Sequence, residues 1–193
     1  MTPHPPLIAV YDANVLYPAP IRDLLIRLAR AGVVSARWSD EIHDEWTRSL
    51  LRNRPDLDPA KLQRTRELMD AAVPGALVQG YARHVDRLQL PDPDDRHVLA
   101  AAIEAEADVI VTFNAKDFPR AIVSAHGIDV RRPDAFVLEL LAGGDVDAVY
   151  AAVRAHRSEL RNPPYTVEQY LESLARVGLR RSAEHLRRTG IDL

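Results

Sequence analysis

Val109, Ile110 and Val111 form a run that is β-branched throughout and too short for a helix, and a helical repeat feeds directly into it. Such a strand belongs in a parallel sheet buried on both faces. The first apolar run, Leu7 to Tyr11, makes a suitable neighbour. It stops at Asp12 and is followed, past a Pro18 to Pro20 turn, by Ile21, Leu24, Leu25 and Leu28 at helical spacing up to Gly32. Strands alternating with helices predict an α/β fold, with a central parallel sheet covered on both faces.

The segments between fill in the alternation. Val33 to Ala36 reads as a second strand, and Ser39 is placed to cap a helix with Asp40 and Glu41 in its first turn. Asp58 with Pro59 opens another helix, running to about Val73, and Ala76 to Val78 reads as a short strand. Asp92 with Pro93 opens the helix that carries Val98, Leu99, Ala102 and Ile103. From Pro133 onward strand signals stop. Phe136, Val137, Leu140 and Leu141 mark one helix, and Val146, Val149, Tyr150 and Val153 a second; Thr166 with Gln169 forms a capping box for a third. The expected organisation is one domain over residues 1–140 and a helical C-terminal extension over 141–193.

Composition narrows the chemistry. A chain of 193 residues holds one full core plus an appendage. With no Cys there is neither a disulfide nor a thiolate metal site, so any metal must be bound by oxygen or His. The start, Met1 to Pro6, shows no basic segment followed by an apolar stretch, and no apolar run is long enough to span a bilayer. A cytoplasmic protein with no membrane partner is expected. A net charge of −3 excludes a wholly basic nucleic-acid binder. The basic residues are almost all Arg, with Lys only at 61 and 116.

The acids carry the functional signal. Ligands of doubly wound sheets bind beyond the carboxyl ends of the strands, where Asp12 stands. Asn114 and Asp117 follow the Val109 strand and emerge at the same edge if the strands are parallel; their bland reading is turn chemistry. Asp95 lies in the first turn of its helix, where it, Asp92 or Asp94 could serve as a cap. Glu45 shares the inward stripe of Ile42, Trp46, Ser49 and Leu50, unusual for a carboxylate unless it is paired, binds a metal, or reaches solvent from the stripe's edge. Four carboxylates drawn together repel, and a hard divalent ion answers that repulsion. Such an ion activates water and offsets charge on a phosphodiester.

The segments VYDANVLYP, SDEIHDEW, DPDDRHVLAAA and DVIVTFNAKDF, in this order, resemble the PIN-domain nucleases, and in particular the VapC-type toxins of bacterial toxin-antitoxin pairs. The resemblance covers about residues 7 to 140. It implies a three-layer α/β/α fold, with Asp12, Glu45, Asp95 and Asp117 as the catalytic metal-binding set and Asn14, Ser39, Thr112 and Asn114 as accessory polar positions. The implied activity is an Mg²⁺- or Mn²⁺-dependent endoribonuclease leaving a 5′-phosphate and a 3′-hydroxyl. The implied partners are RNA, a cognate antitoxin and a second copy in a homodimer. Asn114 stands where many relatives carry an acid, and residues beyond 144 resemble the helical addition of a longer subgroup. Arg176, Arg180, Arg181, Arg187 and Arg188 there could hold RNA phosphates, dock the antitoxin, or form a solvated face. Arg96 and His97 are further candidates for RNA or antitoxin contact, His97 being equally readable as packed or solvated. Tyr11, Trp38 and Trp46 read as packing.

Two other readings stay open on the residues. Asp12 after the first strand is where a dehalogenase-like phosphatase keeps its nucleophile, although the second acid of that class would fall at Asn14. An inert PIN-like binding module would use the same acids as caps and turns.

Overall fold

The computed structural model describes residues 5–190 apart from Gly144 and Asn162; Met1 to His4 and the end of the extension, 191–193, lie outside the described residues. Its strands are β1 (Ile8–Tyr11), β2 (Ser35–Arg37), β3 (Val109–Val111) and β4 (Asp129–Arg131). They make one sheet in the order β2-β1-β3-β4, parallel throughout. Ile8 lies opposite Ser35, Tyr11 opposite Val111, and Val111 opposite Arg131. Asp12 and Thr112 therefore leave the sheet side by side at its carboxyl edge.

The helices follow the repeats. α1 (Ala13–Leu16) is a single turn after Asp12, and α2 (Ala19–Arg30) buries Ile21, Leu24, Leu25 and Leu28. α3 (Asp40–Asn53) begins at Ser39, whose hydroxyl accepts from the Ile42 N–H at 3.2 Å. α4 (Pro59–Ala72) begins at Asp58, which caps the Ala60 N–H, and α5 (Ala82–Val85) is one turn. A 3₁₀ turn, Pro93–Asp95, precedes α6 (Arg96–Glu104), and a second, Ala115–Asp117, follows β3. After α7 (Arg120–Val123) and β4 come α8 (Pro133–Ala142), α9 (Val146–Ser158), α10 (Val167–Arg176) and α11 (Arg180–Thr189). Thr166 and Gln169 form the expected capping box at α10.

One strand expectation needs correction, and one strand of the sheet has no signal in the sequence. Ala76 to Val78 is not a strand but one parallel bridge. The Trp38 N–H reaches the Ala76 carbonyl at 3.0 Å and the Val78 N–H reaches the Trp38 carbonyl at 2.8 Å, between turns at Gly75 and Gly80. The strand β4 carries no apolar run. It is a three-residue edge whose Arg131 pairs with Asp129 and, at 3.3 Å, with Glu139, and charged short edges resist stray strand pairing.

Trp38, Trp46 and Tyr11 are fully buried, as packing predicts. The two indoles also belong to a polar network around His43. The Trp46 indole donates to His43 Nδ1 at 3.0 Å, which leaves the ring proton on Nε2, 3.1 Å from Asp70 Oδ1. The Trp38 indole donates to that same oxygen at 2.7 Å. His43 thus ties α3 to α4 and to the end of β2, and burial holds its pKa below the usual value.

The extension is docked rather than trailing. α9 packs on α2 and α8, α10 on α2 and α11, and α11 on α8. Arg27 of α2 forms an ion pair with Glu159. Leu179 provides no side-chain cap for α11, and Asp134 of α8 supplies one. Its carboxylate accepts from the Arg181 and Ser182 N–H groups at 2.9 Å each, and from the Ser182 hydroxyl at 2.7 Å.

Candidate active site

Asp12 is 2 % exposed, and its Oδ2 is held from two sides. The Thr112 hydroxyl donates to it at 2.6 Å and the Asn14 amide at 2.5 Å. Thr112 Oγ1 in turn accepts from Asn14 Nδ2 at 3.0 Å and from the Asn114 N–H at 2.9 Å, while Asn14 Oδ1 accepts from the Phe113 N–H at 2.9 Å. The strand ends are locked to one another through the acid, and Asn14 and Thr112 orient Asp12. The Asn114 side chain is exposed; its backbone N–H does the bonding. Ser39 stands apart from this network, its hydroxyl engaged as the cap of α3.

Electrostatics gather the acids. Burial pushes the Asp12 carboxyl up to about 6; Glu45 pushes the same way, against the Thr112 hydrogen bond, the Ala13 N–H and His97. Asp95 is pushed up to about 7, by burial first and then by the charges of Asp12, Asp92, Asp117 and Glu45. The four expected acids share one neighbourhood of like charge, with Asp92 as a fifth member. Among the described residues no three His, Asp or Glu side chains close on a single point, so the expected cage is a crowd of carboxylates and not a formed ligand set. The donors present are hard oxygens with excess negative charge, a fit in kind for Mg²⁺ or Mn²⁺ and a poor one for softer metals.

The cap question at Asp95 is resolved in favour of Asp92. Asp92 Oδ1 accepts from the Asp94 N–H at 3.0 Å, whereas Asp95 makes no side-chain cap bond. Turn chemistry thus falls to Asp92 and leaves the Asp95 carboxyl facing the other acids.

For Glu45, two of the readings its stripe left open hold together, an edge position and a paired carboxylate. It sits at the edge of its stripe, 44 % exposed, because Ser49 and Leu50 are themselves only half-buried. Its partner is His97, whose Nε2 lies 3.4 Å from Glu45 Oε2. His97 is only 7 % exposed, and its Nδ1 is buried without a hydrogen-bond partner, 3.9 Å from Glu41 Oε2. Burial opposes its charge, but Glu45, Glu41 and Asp12 outweigh burial and raise its pKa. Sequence spacing places His97 two positions after Asp95, on another side of one helix. The 3₁₀ turn ends at Asp95 and α6 starts after it, so the two residues do not share a helical frame. Arg96 turns back to the Pro93 carbonyl at 2.8 Å and lines a groove of about 430 Å³ with Glu41, Glu45, Arg48 and His97. Arg180 and Arg181 line a separate groove of about 600 Å³ on the extension.

The strand order, the acid-bearing edge and the helical layers agree with one family. A model described as PIN domain matches residues 9–116. The chain belongs to the PIN domain family. That match takes in Asp12, Glu45 and Asp95 and ends one residue before Asp117. The part of this PIN protein that includes α8 to α11 matches a second model, described as VapC50 C-terminal domain, over residues 133–188. A curated relative from Mycobacterium tuberculosis, named "Putative ribonuclease VapC50", is 38% identical over 80 residues, covering 42% of this chain and 47% of that protein. The matched stretch spans about half the length of that relative. No solved structure matches. Among the described residues no helix of the PIN protein is long and apolar enough to cross a membrane.

Proposed function

We propose that this chain is a VapC-type toxin, an endoribonuclease dependent on Mg²⁺ or Mn²⁺, acting in the cytoplasm as a homodimer and silenced by a cognate antitoxin. The observation that carries this reading is the oriented, buried Asp12 among crowded carboxylates, with the His97 imidazole against Glu45. Asp12, Glu45, Asp95 and Asp117 would hold the ion. When bound, it would supply an activated water and offset the charge that builds on the phosphodiester.

The chain's own groups prepare that chemistry. Thr112 and Asn14 fix Asp12 Oδ2. His97, its Nε2 3.4 Å from Glu45 Oε2, restrains that half-exposed carboxylate. Asn114 leaves its amide at the rim for substrate. We place the nuclease in residues 1–140 and assign 141–193, with Arg180 and Arg181, to antitoxin or RNA contact. Asn14 occupies the place of a phosphatase's second acid and spends its amide on Asp12, which speaks against nucleophilic use of Asp12.

A fluorogenic RNA should be cut by the purified protein in Mn²⁺ or Mg²⁺, leaving 5′-phosphate ends, and not in EDTA. Undiminished cutting in EDTA, or none with any divalent ion, would refute the reading.

A further inference from the structure

Beside Glu45 lies a second pocket, of about 280 Å³, that none of the roles above uses. Its walls include Asn14, Tyr17, Glu45, Trp46, Ser49 and Asn53. Glu45, Ser49 and Asn53 are four residues apart on α3 and so form one line along the helix, each about 6 Å further from the acids. Asn14 and Tyr17 face them from α1 and its C-terminal end, the two elements being packed together. The Asn53 amide donates to the Tyr17 hydroxyl at 2.9 Å and closes the far end.

The chemistry of this pocket is that of a base-reading subsite. Tyr17 supplies an aromatic ring and a hydroxyl whose own proton is still to be given. Asn53 gives one of its two amide N–H groups to Tyr17 and keeps the other, with its carbonyl oxygen as an acceptor. The Ser49 hydroxyl has no hydrogen-bond partner among the described residues. Sequence-selective RNA recognition works on unstacked bases that stack on aromatic rings and hydrogen-bond along their edges. Two walls, Asn14 and Glu45, belong also to the acid neighbourhood, so a group seated here is joined to whatever is held there.

We infer that this pocket receives the base of the nucleotide adjoining the scissile phosphate, and that Tyr17, Ser49 and Asn53 set which base precedes or follows the cut. The inference rests on the ribonuclease reading. Tyr17 packs the base face, while the Asn53 carbonyl and the Ser49 and Tyr17 hydroxyls read its edge. None of the three touches the reacting phosphate, so their loss alters choice of site rather than the chemistry.

The test is a randomised RNA pool cut in Mn²⁺ by the wild type, Asn53→Ala, Ser49→Ala and Tyr17→Phe, with sequencing of the ends and thermal melts to verify folding. The wild type should prefer one base class at a single position flanking the cut. Losing one hydrogen bond should reduce that preference about tenfold in Asn53→Ala and Ser49→Ala, with KM raised and kcat held within about twofold. Tyr17→Phe keeps the ring and should weaken the preference less. Folded variants that cut with the wild-type profile and KM would overturn the subsite and leave the nuclease intact. A wild type that cuts no RNA in any divalent ion would overturn both.

Discussion

Asp12→Asn is expected to lower metal-dependent RNA cleavage about 1,000-fold or more and at the same time to stabilise the metal-free fold. The first effect follows from removing a charged oxygen donor, whose loss forfeits several kcal/mol of transition-state stabilisation. The second follows from burial. A carboxyl pushed up to about 6 in the folded state, against an ordinary value near 3.8, is held ionised at neutral pH at a cost. Two units correspond to about 3 kcal/mol, of which replacing the acid by its neutral isostere should recover about 2. The pH dependence has a definite sign. An acid with a raised folded value costs nothing below about pH 4, costs progressively more up to about pH 6, and costs its full amount above. The stability difference between variant and wild type in EDTA, measured by urea denaturation, should therefore widen from pH 4 to pH 6 and then level off. Taking the difference cancels groups with opposite behaviour, such as His156, which burial pushes down to about 4. Equal stabilities at every pH would show that burial does not penalise the ionised Asp12 carboxyl.

Gly178→Val is expected to be as damaging from the other side of the molecule. Gly178 lies in the turn between α10 and α11 at φ +105°, a backbone conformation that L side chains rarely adopt. A Cβ there would sit 3.0 Å from Cε1 and 3.2 Å from Cζ of Phe113. Backbone strain and overpacking each cost about 1–3 kcal/mol, so a loss of about 3 kcal/mol is expected in denaturant unfolding. Phe113 is also the residue whose N–H holds Asn14 Oδ1, and Asn14 holds Asp12. Cleavage by the folded variant should fall about tenfold, because displacing Phe113 loosens the orientation of the acid. Unchanged stability and activity would mean that the extension does not bear on the site.

The fold was readable where apolar periodicity is strong. The β-branched Val109 to Val111, the α2 repeat and the Thr166 capping box all stand where residue pattern placed them. β4 was not readable, because Asp129 and Arg131 are held by ion pairs and a parallel partner rather than by an apolar run. At the site, Asp12 was legible as an acid at a strand end, and Asn14 and Thr112 only through resemblance. Glu45 lies on the inward stripe by spacing, with a partner or an edge position left open; it takes both, half-exposed beside His97, a pairing between α3 and α6 that no local spacing encodes. Asp92 shows the same limit from the opposite direction. Three acids in four residues look alike in sequence, and only the 3₁₀ turn decides that Asp92 caps while Asp95 feels the charges of Asp12, Glu45 and Asp117.

The central claim is that these carboxylates are crowded and await a divalent cation. The most direct test is calorimetric titration of the metal-free protein with Mn²⁺ at pH 6.5, in two buffers of different ionisation enthalpy. With Asp12 at about 6 and Asp95 at about 7, the two acids together carry about one proton at that pH, and metal binding must expel it. The account predicts release of about one proton per Mn²⁺ by the wild type and markedly less by Asp95→Asn. No Mn²⁺ binding, or binding with no proton released, would contradict it.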